Sequence, residues 1–368
     1  MSEFNTNLDS TVTKTLEETD KKCPRCGGVM NFDPATGGLS CPYCDYQEAI
    51  KGEEGWSEAA DELDIREAEN TENCNWGAEK KTILCNACGA EAIYDALQIS
   101  AVCPFCGSNQ VMEASDHRTM APGGVVPFSI SDSQASQLFI NWIRKKWFCP
   151  KMAKESAKAK NFNGVYLPYW TFDADTVSDY HARYGIDKRV RNRKGEVKVV
   201  TDWYPTSGTY QEKFDDELVS ATTNHNQIML KGLEPYNTAA NKRYQPEYVA
   251  GYVAERYAVG IKEAWNYAKQ AMTDKLDSGI RKKVRYEKHA DRVDGLRITT
   301  AYHNVTYKYL LLPVWISNYQ YKNKIYHFMV NGQTGKVSGK TPISAVKVAF
   351  AIAAALAAAG IIYLLSTY

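Results

Sequence analysis

The sequence predicts an α+β protein: two small four-cysteine units, a central domain of helices and antiparallel sheet, and one C-terminal transmembrane helix. Three observations carry that reading. Eight of the ten cysteines fall into four CxxC pairs. Alternating apolar and polar stretches, rich in the 24 tyrosines and 8 tryptophans, flank a long helical pattern. Val348–Leu365 runs eighteen residues without a charge.

The boundaries follow in chain order. Residues 1–20 are polar, carry no apolar signal region and are expected to be disordered. The first cysteine unit spans residues 21–48. Residues 49–79 read as an acidic, solvated linker with a short helix, since Glu48 to Glu72 holds ten acidic residues against Lys51 and Arg66. The second cysteine unit spans 80–115. A linker at 116–130 contains Pro122, Gly123, Gly124 and Pro127. The α+β domain covers 131–343 and the transmembrane helix 346–366.

The first unit reads Cys23-Pro24-Arg25-Cys26, fourteen residues, then Cys41-Pro42-Tyr43-Cys44. The second reads Cys85-Asn86-Ala87-Cys88, again fourteen residues, then Cys103-Pro104-Phe105-Cys106. Each CxxC bends two thiolates toward one ion, and two such knuckles on neighbouring hairpins complete a tetrahedral S4 shell. Glycine follows Cys26, Cys88 and Cys106, where the chain must turn with φ > 0. One spacing repeated 62 residues on, from Cys23 to Cys85, points to two zinc ribbons holding two Zn2+ ions. Rubredoxin-like iron is the competing occupant of an S4 site. Four cysteines close the coordination shell, which argues against catalysis at the ion. Cys74 and Cys149 stand apart and read as free thiols.

Charge bears on partners. With 44 basic and 43 acidic side chains the net charge is +1, and neither cysteine unit carries a basic patch. Near Cys23–Cys44, Lys21, Lys22 and Arg25 oppose Asp33 and Asp45, and near Cys85, Lys80 and Lys81 oppose Glu79, Glu91 and Asp95. This argues against nucleic acid and for protein contact.

In the α+β domain, Ser131 is an N-cap for a helix burying Leu138, Trp142 and Ile143, and a Lys/Ala-rich helix follows from Lys151. Leu167-Pro168-Tyr169-Trp170 is echoed by Leu312-Pro313-Val314-Trp315. Both read as strands with the proline at an edge or bulge. A hairpin turns near Lys194-Gly195, and Asn331-Gly332 signals another turn. Residues 213–285 read mainly as helix, with Val249, Tyr252, Val253, Tyr257, Ile261, Trp265 and Ala268 on one inner face.

Val348–Leu365 gives a helix of about 27 Å, close to a bilayer's hydrocarbon thickness. Lys336, Lys340 and Lys347 precede it and no charge follows. The positive-inside rule then makes this a single-pass cell-membrane protein with its bulk in the cytoplasm. Stripes of small residues (Ala351, Ala355, Ala359 and Ala349, Ala353, Ala357) suit a membrane-protein partner. There is no GxxxxGK[ST], HExxH, GxSxG or strand-linked GxGxxG, and the six histidines show no ligand spacing. The chain reads as a non-enzyme without a small-molecule substrate. Asp173 and Asp175 are the carboxylates an enzymatic alternative would use.

These motifs together resemble a family of bacterial membrane-anchored tandem zinc-ribbon proteins, often called TFIIB-type. The resemblance rests on the CPxCG ribbons, Trp147-Phe148-Cys149-Pro150-Lys151, Gly164–Asp175, a helix over Tyr248–Tyr257 (YVAGYVAERY), Leu311-Leu312-Pro313-Val314-Trp315, Val330–Gly339 and the terminal apolar helix. It covers most of residues 20–365. Some members carry a primosomal-helicase label, which the missing phosphate loop opposes here. The resemblance implies a scaffold in phage-shock-type envelope stress that recruits soluble protein partners to the membrane. The competing reading is a nucleic-acid-binding zinc-ribbon protein. Cys85-Asn86-Ala87-Cys88 departs from the pattern by lacking the proline.

Overall fold

The computed structural model describes residues 22–51, 58–67, 80–87, 90–95, 103, 108, 111–113, 120–156, 162–191, 197–322 and 324–367. The expected disorder at 1–20, the thiol of Cys74 and the turn near Lys194-Gly195 lie outside them.

The first cysteine unit is a three-stranded meander, β1 (Asn31–Asp33), β2 (Gly38–Ser40) and β3 (Gln47–Glu48). Next come β4 (Leu63–Asp64), β5 (Lys80–Cys85), β6 (Glu91–Asp95), β7 (Val111–Glu113) and β8 (Gly124–Val125). Helices α1 (Asp132–Lys145) and α2 (Lys151–Ser156) precede the long strands β9 (Asn163–Arg191) and β10 (Val197–Ser220). Then follow α3 (Gln227–Lys231), β11 (Lys242–Arg243), β12 (Val253–Glu255) and α4 (Ile261–Glu287). The chain closes with β13 (Arg292–Tyr321), β14 (Lys324–Asn331), β15 (Val337–Gly339) and α5 (Ala345–Thr367). Among the described residues, β4 to β15 form one twelve-stranded sheet, antiparallel except where β12 meets β9 and β8 meets β13. The fold is thus α+β with a large antiparallel sheet.

The sheet is built on the β9–β13 pair, and the repeated Leu-Pro-x-Trp motif sits at its centre, with Leu167 opposite Leu312. There the strands are buried on both faces, so they read as continuous apolar runs. Alternate residues serve two cores: Tyr166, Trp170, Phe172, Tyr307, Tyr309 and Trp315 on one face, Val165, Leu167, Tyr169, Leu310, Leu312 and Val314 on the other. The two motif tryptophans play matching parts. Trp170 Nε1 donates to the Val259 carbonyl at 2.8 Å, and Trp315 Nε1 to that of Ile130 at 2.8 Å.

The prolines lie inside central strands, not at an edge or bulge as expected. Pro168 stands where β10 stops pairing with β9, at Tyr169, and before β12 takes over at Tyr166. Pro313 stands where β8 stops, at Leu311, and before β14 takes over at Val314. Neither position has an outer strand requiring the missing N–H.

Beyond Asp175 the three long strands continue as an arm whose one face is covered by α4. The arm's inner cluster joins Tyr180, Ala182, Ile280, Val284 and Val293. The buried row of α4 is Ala264, Ala268, Met272, Leu276, Ile280 and Val284, spaced four residues throughout. At 3.6 residues per turn such a row drifts about 40° per step, so it follows a twisted sheet rather than a straight groove.

The expected long helix over 213–285 is corrected on this point. Only Ile261–Glu287 is α4; residues 213–220 belong to β10 and 253–255 to β12. Gly251, at φ 81, breaks the pattern, and Val253 and Ala254 are taken by pairing with β9. The 49–79 linker is also more structured than expected. Leu63 and Asp64 pair with Tyr307 and Thr306, and Ala60 is buried with its N–H on Asn241 Oδ1 at 2.7 Å. The α1 start matches expectation: Ser131 and Gln134 form a capping box, although Ala135, Phe139 and Ile143 make the buried face.

Among the described residues, α5 is long and apolar enough to cross a membrane. None of its 21-residue core, Ala345–Leu365, is buried against the rest of the protein.

Candidate metal centre

The first cysteine unit assembles its four predicted ligands. The sulfurs of Cys23, Cys26, Cys41 and Cys44 all lie within 4.8 Å of one another. The closest pairs are Cys23–Cys44 and Cys26–Cys41, both 3.5 Å, and no disulfide joins them. Tetrahedral thiolates about 2.3 Å from an ion stand about 3.8 Å apart, so this arrangement can hold one metal ion.

The backbone explains why the sulfurs converge. In each knuckle the first cysteine's N–H donates to the carbonyl five residues on: Cys23 to Gly28 at 2.7 Å, Cys41 to Tyr46 at 2.8 Å. A second bond runs from Gly27 N–H to Cys23 O at 2.8 Å and from Asp45 N–H to Cys41 O at 3.0 Å. These loops need a left-handed residue directly after the second cysteine. Gly27 takes it at φ 75 and Asp45 at φ 57.

The unit's own apolar core is small, with Met30 and Leu39 packed beside buried Cys23 and Cys41. It is seated on the body through Phe32, whose N–H donates to Ala250 O at 3.0 Å and whose ring joins the main core. Burial opposes ionisation of Cys41, yet the Tyr43 N–H and neighbouring sulfurs bring its thiol down to about 7. At Cys44 the Tyr46 N–H favours the thiolate, but burial and three sulfurs push it up to about 12. A cation among the four sulfurs would favour their thiolate forms, as metal ligation demands.

Of the second unit, Cys85 and Cys103 are described and Cys88 and Cys106 lie outside the described residues. Cys85 and Cys103 are both buried in the same apolar cluster. Each repeats the knuckle bond, Cys85 N–H to Ala90 O at 3.0 Å and Cys103 N–H to Ser108 O at 2.7 Å. This unit is not a separate module: β6 pairs with β12 through Ile93–Ala254 and Ala92–Glu255, which makes it one end of the large sheet. Cys149, read as a free thiol, is buried beneath the α1–α2 corner.

Two polar clusters escaped the sequence. Glu255 is fully buried; its Oε1 accepts from Thr222 Oγ1 at 2.6 Å and Asn224 Nδ2 at 2.7 Å, and its Oε2 lies 3.2 Å from His225 Nε2. With Arg256 N–H on Glu91 O at 3.2 Å, it ties residues 222–225 to the second cysteine unit. Its one trace in the sequence is a glutamate directly after Val253 and Ala254. The other cluster surrounds Lys308, held by Asp216 at 2.8 Å and Glu62 at 3.2 Å. Asp173 and Asp175 each brace a left-handed residue. Asp173 accepts the N–H of Asp216, at φ 51, and Asp175 the side-chain amide of Asn304, at φ 49.

Fold and site define an α+β protein with a four-cysteine cluster able to hold one metal ion before its large sheet and a membrane-length apolar helix after it. The chain is 32% identical over 341 residues to the uncharacterized protein YdjG of Bacillus subtilis (strain 168), covering 89% of this chain and 91% of that one. It belongs to the same family as YdjG. No protein-family profile and no solved structure matches it.

Proposed function

We propose that this protein is a membrane-anchored scaffold, single-pass with its bulk in the cytoplasm, whose cysteine units hold two zinc ions and recruit protein partners. The carrying observation is the pairing in one chain of a closed four-sulfur centre with an unburied 21-residue apolar helix. A closed shell leaves no position for substrate, so the ion's work is to hold a contact surface. The second ion is supported by the bond common to all four knuckles, first-cysteine N–H to the carbonyl five residues on. Cytoplasmic orientation is supported by Lys336, Lys340 and Lys347 ahead of α5. The link to envelope stress rests on the family resemblance.

The test combines fractionation, metal analysis and pull-down from detergent-solubilised membranes. The protein should sediment with membranes and carry two zinc ions per chain. A Cys23→Ser/Cys85→Ser variant should lose its soluble partners. A soluble full-length protein, or unchanged partners with the variant, refutes the scaffold. A steep loss of DNA or RNA affinity with salt would favour nucleic-acid binding instead.

A further inference from the structure

The α1–α2 corner exposes what a folded protein normally hides. Trp147 is 53% exposed and Phe148 44%, their rings in edge contact at 4.9 Å, and Met152 beside them is 70% exposed. The corner is joined to the root of α5. Ser344 N–H donates to Phe148 O at 2.9 Å, and Lys347 Nζ donates to Trp147 O at 2.8 Å and Cys149 O at 2.9 Å. Ile343 and Val346, also exposed, extend the apolar surface onto α5 itself. Around it the charge is one-sided. Residues 144–155 hold Arg144, Lys145, Lys146, Lys151 and Lys154 against Glu155 alone.

We propose that this corner is a second membrane contact, with Trp147 and Phe148 seated in the headgroup zone of an anionic bilayer and the surrounding lysines and Arg144 on its phosphates. The proposal rests on α5 spanning that bilayer. Height is set by the bonds to Ser344 and Lys347, which hold the aromatic pair within about one helical turn, roughly 5 Å, of the apolar span. Tryptophan prefers this depth because its ring is apolar and its N–H is wet. Basic side chains add attraction to anionic lipid that fades with salt. Two attachments, one spanning and one lateral, would hold the sheet at a set angle to the membrane, whereas α5 alone would leave it free to swing.

The experiment uses the full-length protein in vesicles of neutral or 30% anionic lipid, with part of the lipid brominated near the headgroup end of its chains. No tryptophan lies in α5, so bromine quenching of tryptophan emission must come from other segments. Vesicle flotation is read first, and a protein that does not float fails the anchor and the corner together. In floating protein, wild type should be quenched and Trp147→Phe should lose most of that quenching, with unchanged circular dichroism. Lys145→Glu/Lys146→Glu/Lys151→Glu should reduce quenching at least twofold in anionic vesicles. Equal quenching of wild type and Trp147→Phe, or none in floating wild type, overturns the corner contact while leaving the anchor standing. Trp147 unquenched by lipid but shielded by a co-purifying protein overturns it in favour of a protein partner.

Discussion

Replacing Lys308 with methionine should destabilise the sheet by about 3 kcal/mol at pH 7. Its ammonium is 8% exposed and lies between Asp216, 14% exposed, and Glu62, with Asp173 behind them. Methionine fills the same volume, so the loss is electrostatic and leaves buried carboxylates without a cation. Breaking such a buried pair costs about 3–5 kcal/mol. Glu62, 47% exposed, is screened by water and contributes little, so the figure rests on the Asp216 pair alone, taken at the low end of that range. Acid should relieve the defect. Burial, with Glu62 and Asp216 nearby, already pushes Asp173 up to about 6 against the pull of the Asp216 N–H and Lys308. A carboxyl raised in the folded state binds its proton more tightly there than when unfolded, so its contribution is present at low pH and lost as pH rises through 6. Without Lys308 it rises further, and the deficit at pH 5 should be smaller than at pH 7. Urea titrations in detergent micelles, followed by tryptophan emission, measure both. A deficit under 1 kcal/mol at pH 7, or one equal at both values, would refute the account.

Three further outcomes are expected. Cys26→Ser should remove one bound metal and expose the amides of β1–β3 to hydrogen exchange, while β9 and β13 stay protected; unchanged exchange would contradict a metal-dependent unit. Cys103→Ser should lower the thermal midpoint more than Cys26→Ser, because its unit extends the large sheet through β6 and β12; calorimetry decides, and the reverse order counts against this. Leu276→Ala, in the fully buried row of α4, should cost about 2–5 kcal/mol in urea unfolding, and a cost under 1 kcal/mol would place that row outside the core.

The first cluster, Cys23, Cys26, Cys41 and Cys44, and the apolar helix were legible because their signals are local. A CxxC pair determines its own turn, and eighteen uncharged residues need no partner to declare their length. The doubled Leu-Pro-x-Trp motif likewise marked β9 and β13, since strands buried on both faces read as continuous apolar runs. Legibility failed where a residue's environment comes from chain far away in sequence. Val253 and Ala254 fit a helical stripe, yet pairing with Val165 and Tyr166 outweighs a propensity worth a few tenths of a kcal/mol per residue. Leu63 and Asp64 looked like linker until Tyr307 and Thr306 offered them a strand.

Local patterns in the chain marked the four cysteines Cys23, Cys26, Cys41 and Cys44 that converge, the helix long and apolar enough to cross a membrane, and a body of helices and antiparallel strands. It took the folded chain to place the second cysteine unit in the large sheet, to bury Glu255 and Lys308 in polar clusters, and to bring the Trp147–Phe148 corner against the root of α5. Those facts depend on contacts between segments as far apart as Glu62 and Lys308, and burial and charge pairing are properties of the assembled surfaces rather than of any one stretch.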